Sequence, residues 1–177
     1  MKTTIKQFSF ALVVVLIATL SSCSSDSSSG GGAAGLGTLK AKIGGSNFTS
    51  IPQAASAIIA SNGTFQNLSI SGADASGKSL ILTILGENIG VGTYPITDQS
   101  TEIASGTYTE VNISNPSSAV VWGAPYDGGG NSGSIIITSK TATNVQGTFS
   151  FTAINATTGT GTKAITNGVF NVNLTSN

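Results

Sequence analysis

The sequence has no histidine, no arginine and one cysteine, and only 8% of its 177 residues are charged. Each shortage removes a class of chemistry. Without histidine there is no Ser-His-Asp arrangement and no imidazole general base. The usual zinc sites need His or Cys side chains, and the single cysteine, Cys23, has another use. Without arginine there is no bidentate fork for phosphates or bases, and the few lysines form no basic stripe, so nucleic acid is not an expected partner. The glycine runs at 30–32 and 128–130 lack the Lys-Ser/Thr that follows in a phosphate-binding loop. No metal and no cofactor is expected, and the chain reads as a non-enzyme.

What is present begins with an address. Lys2 and Lys6 precede an apolar run over residues 8–20, interrupted only by Ser9 and Thr19. A signal-peptide core is about 7–15 residues long. As a helix this run would span about 20 Å, short of the roughly 30 Å of a bilayer core. It ends in Leu20-Ser21-Ser22-Cys23, which resembles the bacterial lipobox: an aliphatic residue, two small residues, then cysteine. Cys23 is therefore the predicted lipidation site, its thiolate taking up diacylglycerol. Several acyl chains would hold the protein durably in a membrane, its expected partner. In proteobacterial lipoproteins an Asp after the cysteine favours the inner membrane. Ser24 stands there instead, so the expected location is the cell envelope at the outer membrane, on its periplasmic or surface face. Residues 24–37 are almost all Ser, Gly and Ala, the composition of a flexible tether. The expected organisation is a signal peptide at 1–22, the lipidated cysteine and tether at 23–37, and one domain at 38–177.

From Leu39 onward the hydrophobic period is two. Leu39, Ala41 and Ile43 alternate with Lys40 and Lys42; Phe149 and Phe151 alternate with Thr148, Ser150 and Thr152; Phe170, Val172 and Leu174 alternate with Asn171 and Asn173. This is the pattern of half-buried antiparallel strands. Residues 79–85 and 134–138 are more continuously apolar and suit central strands. Further strands are predicted at 57–60, 68–71, 93–96, 107–113, 119–122 and 145–155. Asp74-Ala75-Ser76-Gly77 should join two strands with glycine at positive φ, and residues 140–144 should join another pair. Asn167-Gly168 reads as a bulge or tight turn. Residues 52–60 are Ala-rich and ambiguous between helix and strand. The expectation is an all-β fold: a single antiparallel β-sandwich or partly closed barrel of about nine strands.

A phrase recurs at Gly63-Thr64-Phe65, Gly92-Thr93-Tyr94, Gly106-Thr107-Tyr108, Gly147-Thr148-Phe149 and Gly168-Val169-Phe170. Its spacing is irregular, which excludes a solenoid or propeller. The expected meaning is a turn glycine followed by a strand whose first large residue enters the core. The order Lys42-Ile-Gly-Gly-Ser-Asn-Phe48, then Gly92-Thr-Tyr94, Gly133-Ser-Ile-Ile-Ile-Thr138, Gly147-Thr-Phe-Ser-Phe-Thr-Ala153 and Ile165-Thr-Asn-Gly-Val-Phe170 resembles a family of Bacteroidetes lipoproteins of unknown function. The resemblance covers nearly all of the domain. It implies an extracytoplasmic β-sandwich-like fold and brings no catalytic residues.

The candidate ligand-binding residues are Trp122, Tyr126, Asp127 and Asn131, on a strand end leading into a glycine loop. An aromatic face stacks on sugar rings while acid and amide groups bond hydroxyls, which suits a glycan. Asp127 and Asn131 could also offer oxygens to Ca²⁺, though not with EF-hand spacing. The plainer reading, which the residues favour, makes Trp122 a core residue and the glycines a hairpin. Lys78, Lys140 or Lys163 could serve a Ser-Lys dyad, and Glu87, Asp98, Glu102, Glu110 or Asp127 a carboxylate pair for glycoside hydrolysis. Sparse charges that keep a Thr-rich β protein soluble explain them more simply. The expected function is a membrane-anchored, non-catalytic binding or interaction module, with a glycan or an envelope protein as partner. The alternatives are a structural envelope protein and, behind it, a carboxylate-based glycan hydrolase.

Overall fold

The computed structural model describes residues 34–99, 103–111 and 114–177. The leader, Cys23, the tether up to residue 33, Glu102 and Ile113 lie outside the described residues. The strands are β1 (Thr38–Ile43), β2 (Ser46–Thr49), β3 (Ser56–Asn62), β4 (Phe65–Ala73), β5 (Ser79–Glu87), β6 (Gly92–Thr97), β7 (Ile103–Glu110), β8 (Val120–Ala124), β9 (Asn131–Lys140), β10 (Asn144–Asn155) and β11 (Thr162–Ser176). Short 3₁₀ turns occupy Pro52–Ala54 and Pro116–Ser118. Among the described residues the fold is all-β, with eleven strands in place of the expected nine or so. The strand most easily missed is β2, four residues of which only Phe48 turns inward. The ambiguous 52–60 stretch resolves into a 3₁₀ turn and β3, where Ala57 and Ile59 alternate into the core.

All eleven strands belong to one sheet. Six lie side by side in the order β2, β1, β11, β10, β9, β6, and five in the order β3, β4, β5, β7, β8. The two groups are joined at both flanks. Residues 174–176 of β11 pair with residues 57–59 of β3, and Ile154 and Asn155 of β10 pair with Gly123 and Trp122 of β8. The β11–β3 pairing is parallel, so the sheet is not purely antiparallel as expected. Side chains of the two groups also meet in the interior. The Phe151 ring of β10 lies against Gly106 of β7, and Phe48 of β2 packs edge-on against Tyr108 of β7 at 6.3 Å between centroids.

Gly92 opens β6 and its Tyr94 enters the core as expected, but at three of its five occurrences the Gly-x-aromatic phrase has a different meaning. Gly106, Gly147 and Gly168 stand inside strands. In the β10–β11 register Gly147 faces Phe170 and Phe149 faces Gly168. Each ring therefore covers the glycine of the opposite strand: a Cβ on Gly147 would come within 2.5 Å of Phe170, and one on Gly168 within 2.5 Å of Phe149. Residues two apart share a face, so one glycine and one aromatic per phrase build an interlocked patch.

Two turns follow their sequence chemistry. Asp74 Oδ1 accepts hydrogen bonds from the backbone N–H groups of Ser76 and Lys78, and Gly77 sits at φ 83°. Thr141 N–H donates to the Asn144 carbonyl at 2.9 Å and closes the β9–β10 turn. Asn167-Gly168 is a bulge: Phe149 pairs with Gly168 but Phe151 with Ile165, which leaves one extra residue on β11, and Asn167 takes φ 52°.

Candidate functional site

Trp122 lies in β8 directly opposite Tyr108 of β7, so both side chains take the inner face. Glu110 is two residues beyond Tyr108 and shares that face. Lys163 enters from β11, opposite the buried Ala153. The four groups meet at one end of the core. The Lys163 ammonium donates to Glu110 Oε1 at 2.6 Å and stands 4.4 Å above the centre of the Trp122 ring and 5.5 Å from that of Tyr108. The indole N–H of Trp122 donates to Glu110 Oε2 at 3.2 Å. Burial acts to raise the Glu110 carboxyl. The hydrogen bonds from Lys163 and Trp122, with the charges of Lys163 and Lys78, outweigh it and hold Glu110 below the usual carboxylate range. The Tyr108 phenol is pushed well above its ordinary value by burial, then by the charges of Glu110 and Asp74 and a hydrogen bond with Glu110.

This arrangement seals the core. Trp122 is half-buried against it, one ring face lies under a lysine, and its polar edge is engaged. Its companions in the candidate site lie in other surroundings. The Tyr126 ring folds onto its own loop, where a Cβ on Gly129 would approach it to 2.8 Å, and Gly129 N–H donates to the Tyr126 carbonyl. Asn131 Oδ1 accepts from the Gly133 N–H at 3.1 Å, so that oxygen serves the start of β9. Asp127 is exposed in the loop between them. Sequence reasoning took Trp122, Glu110 and Lys163 into three separate candidates, and the fold brings those three together. Of the other described acids, Glu87 ends β5 and Asp98 follows β6, while Asp74 holds the β4–β5 turn, near enough for its charge to act on Tyr108. Among the described residues no three acidic, histidine or cysteine groups gather in one place.

A second feature lies on the outer face of the six-strand group. Ser134, Ile136, Thr148, Phe149, Ser150, Asn167, Gly168 and Val169 line a groove of about 290 Å³. The bulge shapes it, since the extra residue Asn167 is displaced from the β10–β11 ladder. Cross-strand pairing sets its walls: Val169, Thr148, Ile136 and Thr93 form one row, and Ser150, Ser134 and Pro95 another. Hydroxyl and amide groups thus surround an apolar floor. Ser134, Ile136, Thr148, Ser150 and Val169 alternate with the core positions, so the period-two pattern marks them as outward. Nothing in the pattern tells which outward residues become neighbours.

Residues 37–172 match a domain of unknown function, DUF6252. The chain belongs to that family. No curated protein and no solved structure matches it. The DUF6252 match takes in every strand from β1 to β10 and β11 up to Val172. It therefore contains both the Trp122 cluster and the groove.

Proposed function

We propose that this DUF6252 protein is a lipid-anchored, extracytoplasmic lipoprotein of the Bacteroidetes type, whose β-sandwich-like domain is a non-catalytic module that binds a glycan. The groove carries this reading. Ser134, Thr148, Ser150 and Asn167 present hydroxyl and amide groups around Ile136 and Val169, and a sugar offers hydroxyls and an apolar ring face to such a surface. The site moves from Trp122 to the bulge, because the indole is engaged by Lys163 and Glu110. The test is a glycan array with the full chain in detergent, comparing wild type with Ser150→Leu. Ser150 is exposed on the groove wall, so the variant should fold as wild type does. We expect retention of a glycan by wild type and about tenfold weaker retention by the variant, since a bulky apolar chain fills the groove and removes a hydroxyl. An array without a hit, or a variant that binds as wild type does, would sink the proposal.

A further inference from the structure

The charged residues of the strands are sorted by sign. The six strands β2, β1, β11, β10, β9 and β6 contain Lys40, Lys42, Lys140 and Lys163 and no acid. The five strands β3, β4, β5, β7 and β8 contain Glu87 and Glu110 and no lysine. The one ion pair among the described residues, Lys163 to Glu110, joins the two groups. It leaves Lys40 and Lys42 without an acidic partner among the described residues.

Both of these lysines are exposed, and both lie on the face that carries the groove. Lys40 is directly opposite Val169, a groove residue, and Lys42 is directly opposite Thr166, the neighbour of Asn167. Opposite residues in an antiparallel pair project to one side. Two residues apart on β1, they stand about 7 Å from each other along the strand. A ligand in the groove therefore has two ammonium groups along one wall and neutral Thr93 and Pro95 along the other. Within a screening length of about 8–10 Å, such a pair favours negative charge in the ligand.

We infer, on the basis of the glycan-binding reading above, that the groove selects a carboxylate-bearing glycan over a neutral one, with Lys40 and Lys42 as the selecting residues. Hydroxyl and amide groups serve the sugar rings, and the lysines serve the carboxylates.

The experiment titrates the full chain in detergent with an oligogalacturonate and with its neutral methyl ester, at low and high salt. We expect the acid to bind at least about tenfold more tightly than the ester at low salt, with the difference shrinking as salt screens it. In the double variant Lys40→Gln/Lys42→Gln the preference should vanish while affinity for the ester stays unchanged. Equal affinity for acid and ester, or a preference that survives in the double variant, would overturn this inference and leave the groove as a glycan site. Failure of both oligosaccharides to bind the wild type overturns it, whereas the reading beneath it falls only with a glycan array that gives no hit.

Discussion

Lys163 enters the end of the core and meets two kinds of partner there. Glu110 supplies the counter-charge, and the faces of Trp122 and Tyr108 supply electron density. The ammonium in turn shields the indole. In Lys163→Ala we expect Trp122, the only tryptophan, to be quenched more readily by acrylamide and to emit further to the red. Unchanged quenching would mean that the lysine does not cover the ring in solution. Tyr108 makes a pH prediction. Its phenol is raised in the folded chain, so the folded state resists an ionisation that the unfolded chain undergoes near pH 10. Its contribution is complete below that value and is lost as pH rises above it. Urea unfolding measured from pH 8 to 11 should show a falling stability that is flatter in Tyr108→Phe. Glu110 has the opposite sign: its contribution is present above the carboxylate range and is lost as pH falls through it. None of these contacts was legible in the sequence. Lys163 is far from Glu110 and Trp122 in the chain, and only the β7–β8, β8–β10 and β10–β11 pairings together bring the three into reach.

At the scale of the strands, the β10–β11 pair shows what local pattern reveals and what it hides. The alternation of Phe149, Phe151, Phe170 and Val172 with polar residues gave strand identity and the buried face directly. The role of the glycines stayed hidden, because a turn glycine and a glycine beneath a ring look alike until the register is known. Gly147 and Gly168 sit under Phe170 and Phe149, where any Cβ also meets backbone oxygen: that of Ile136 at 2.0 Å and that of Phe149 at 2.5 Å. Overpacking of this kind costs about 1–3 kcal/mol. We expect Gly147→Ala and Gly168→Ala each to lower the thermal midpoint by several degrees. Gly123→Ala in β8, which would meet nothing within 4 Å, should lie within about 0.5 kcal/mol of wild type. Circular dichroism melts of the three variants decide the matter, and equal midpoints would contradict the interlocked packing.

For the molecule as a whole, composition and period sufficed for an all-β class, but not for the way eleven strands are joined, because pairing between distant segments leaves no trace in local alternation. The groove was illegible for the same reason: its walls come from β9, β10 and β11, and its shape from the bulge at Asn167. The sorting of lysines and acids between the two strand groups likewise emerges only with the topology. Strand β11 has a consequence of its own. β11 touches β1, β10 and β3, the earliest, the penultimate and the flanking partners. A chain emerging from its N-terminus cannot join those three until residues 162–176 have appeared. The nascent polypeptide must therefore wait with three open seams, and a stop codon placed before residue 162 would leave all three unstitched at once.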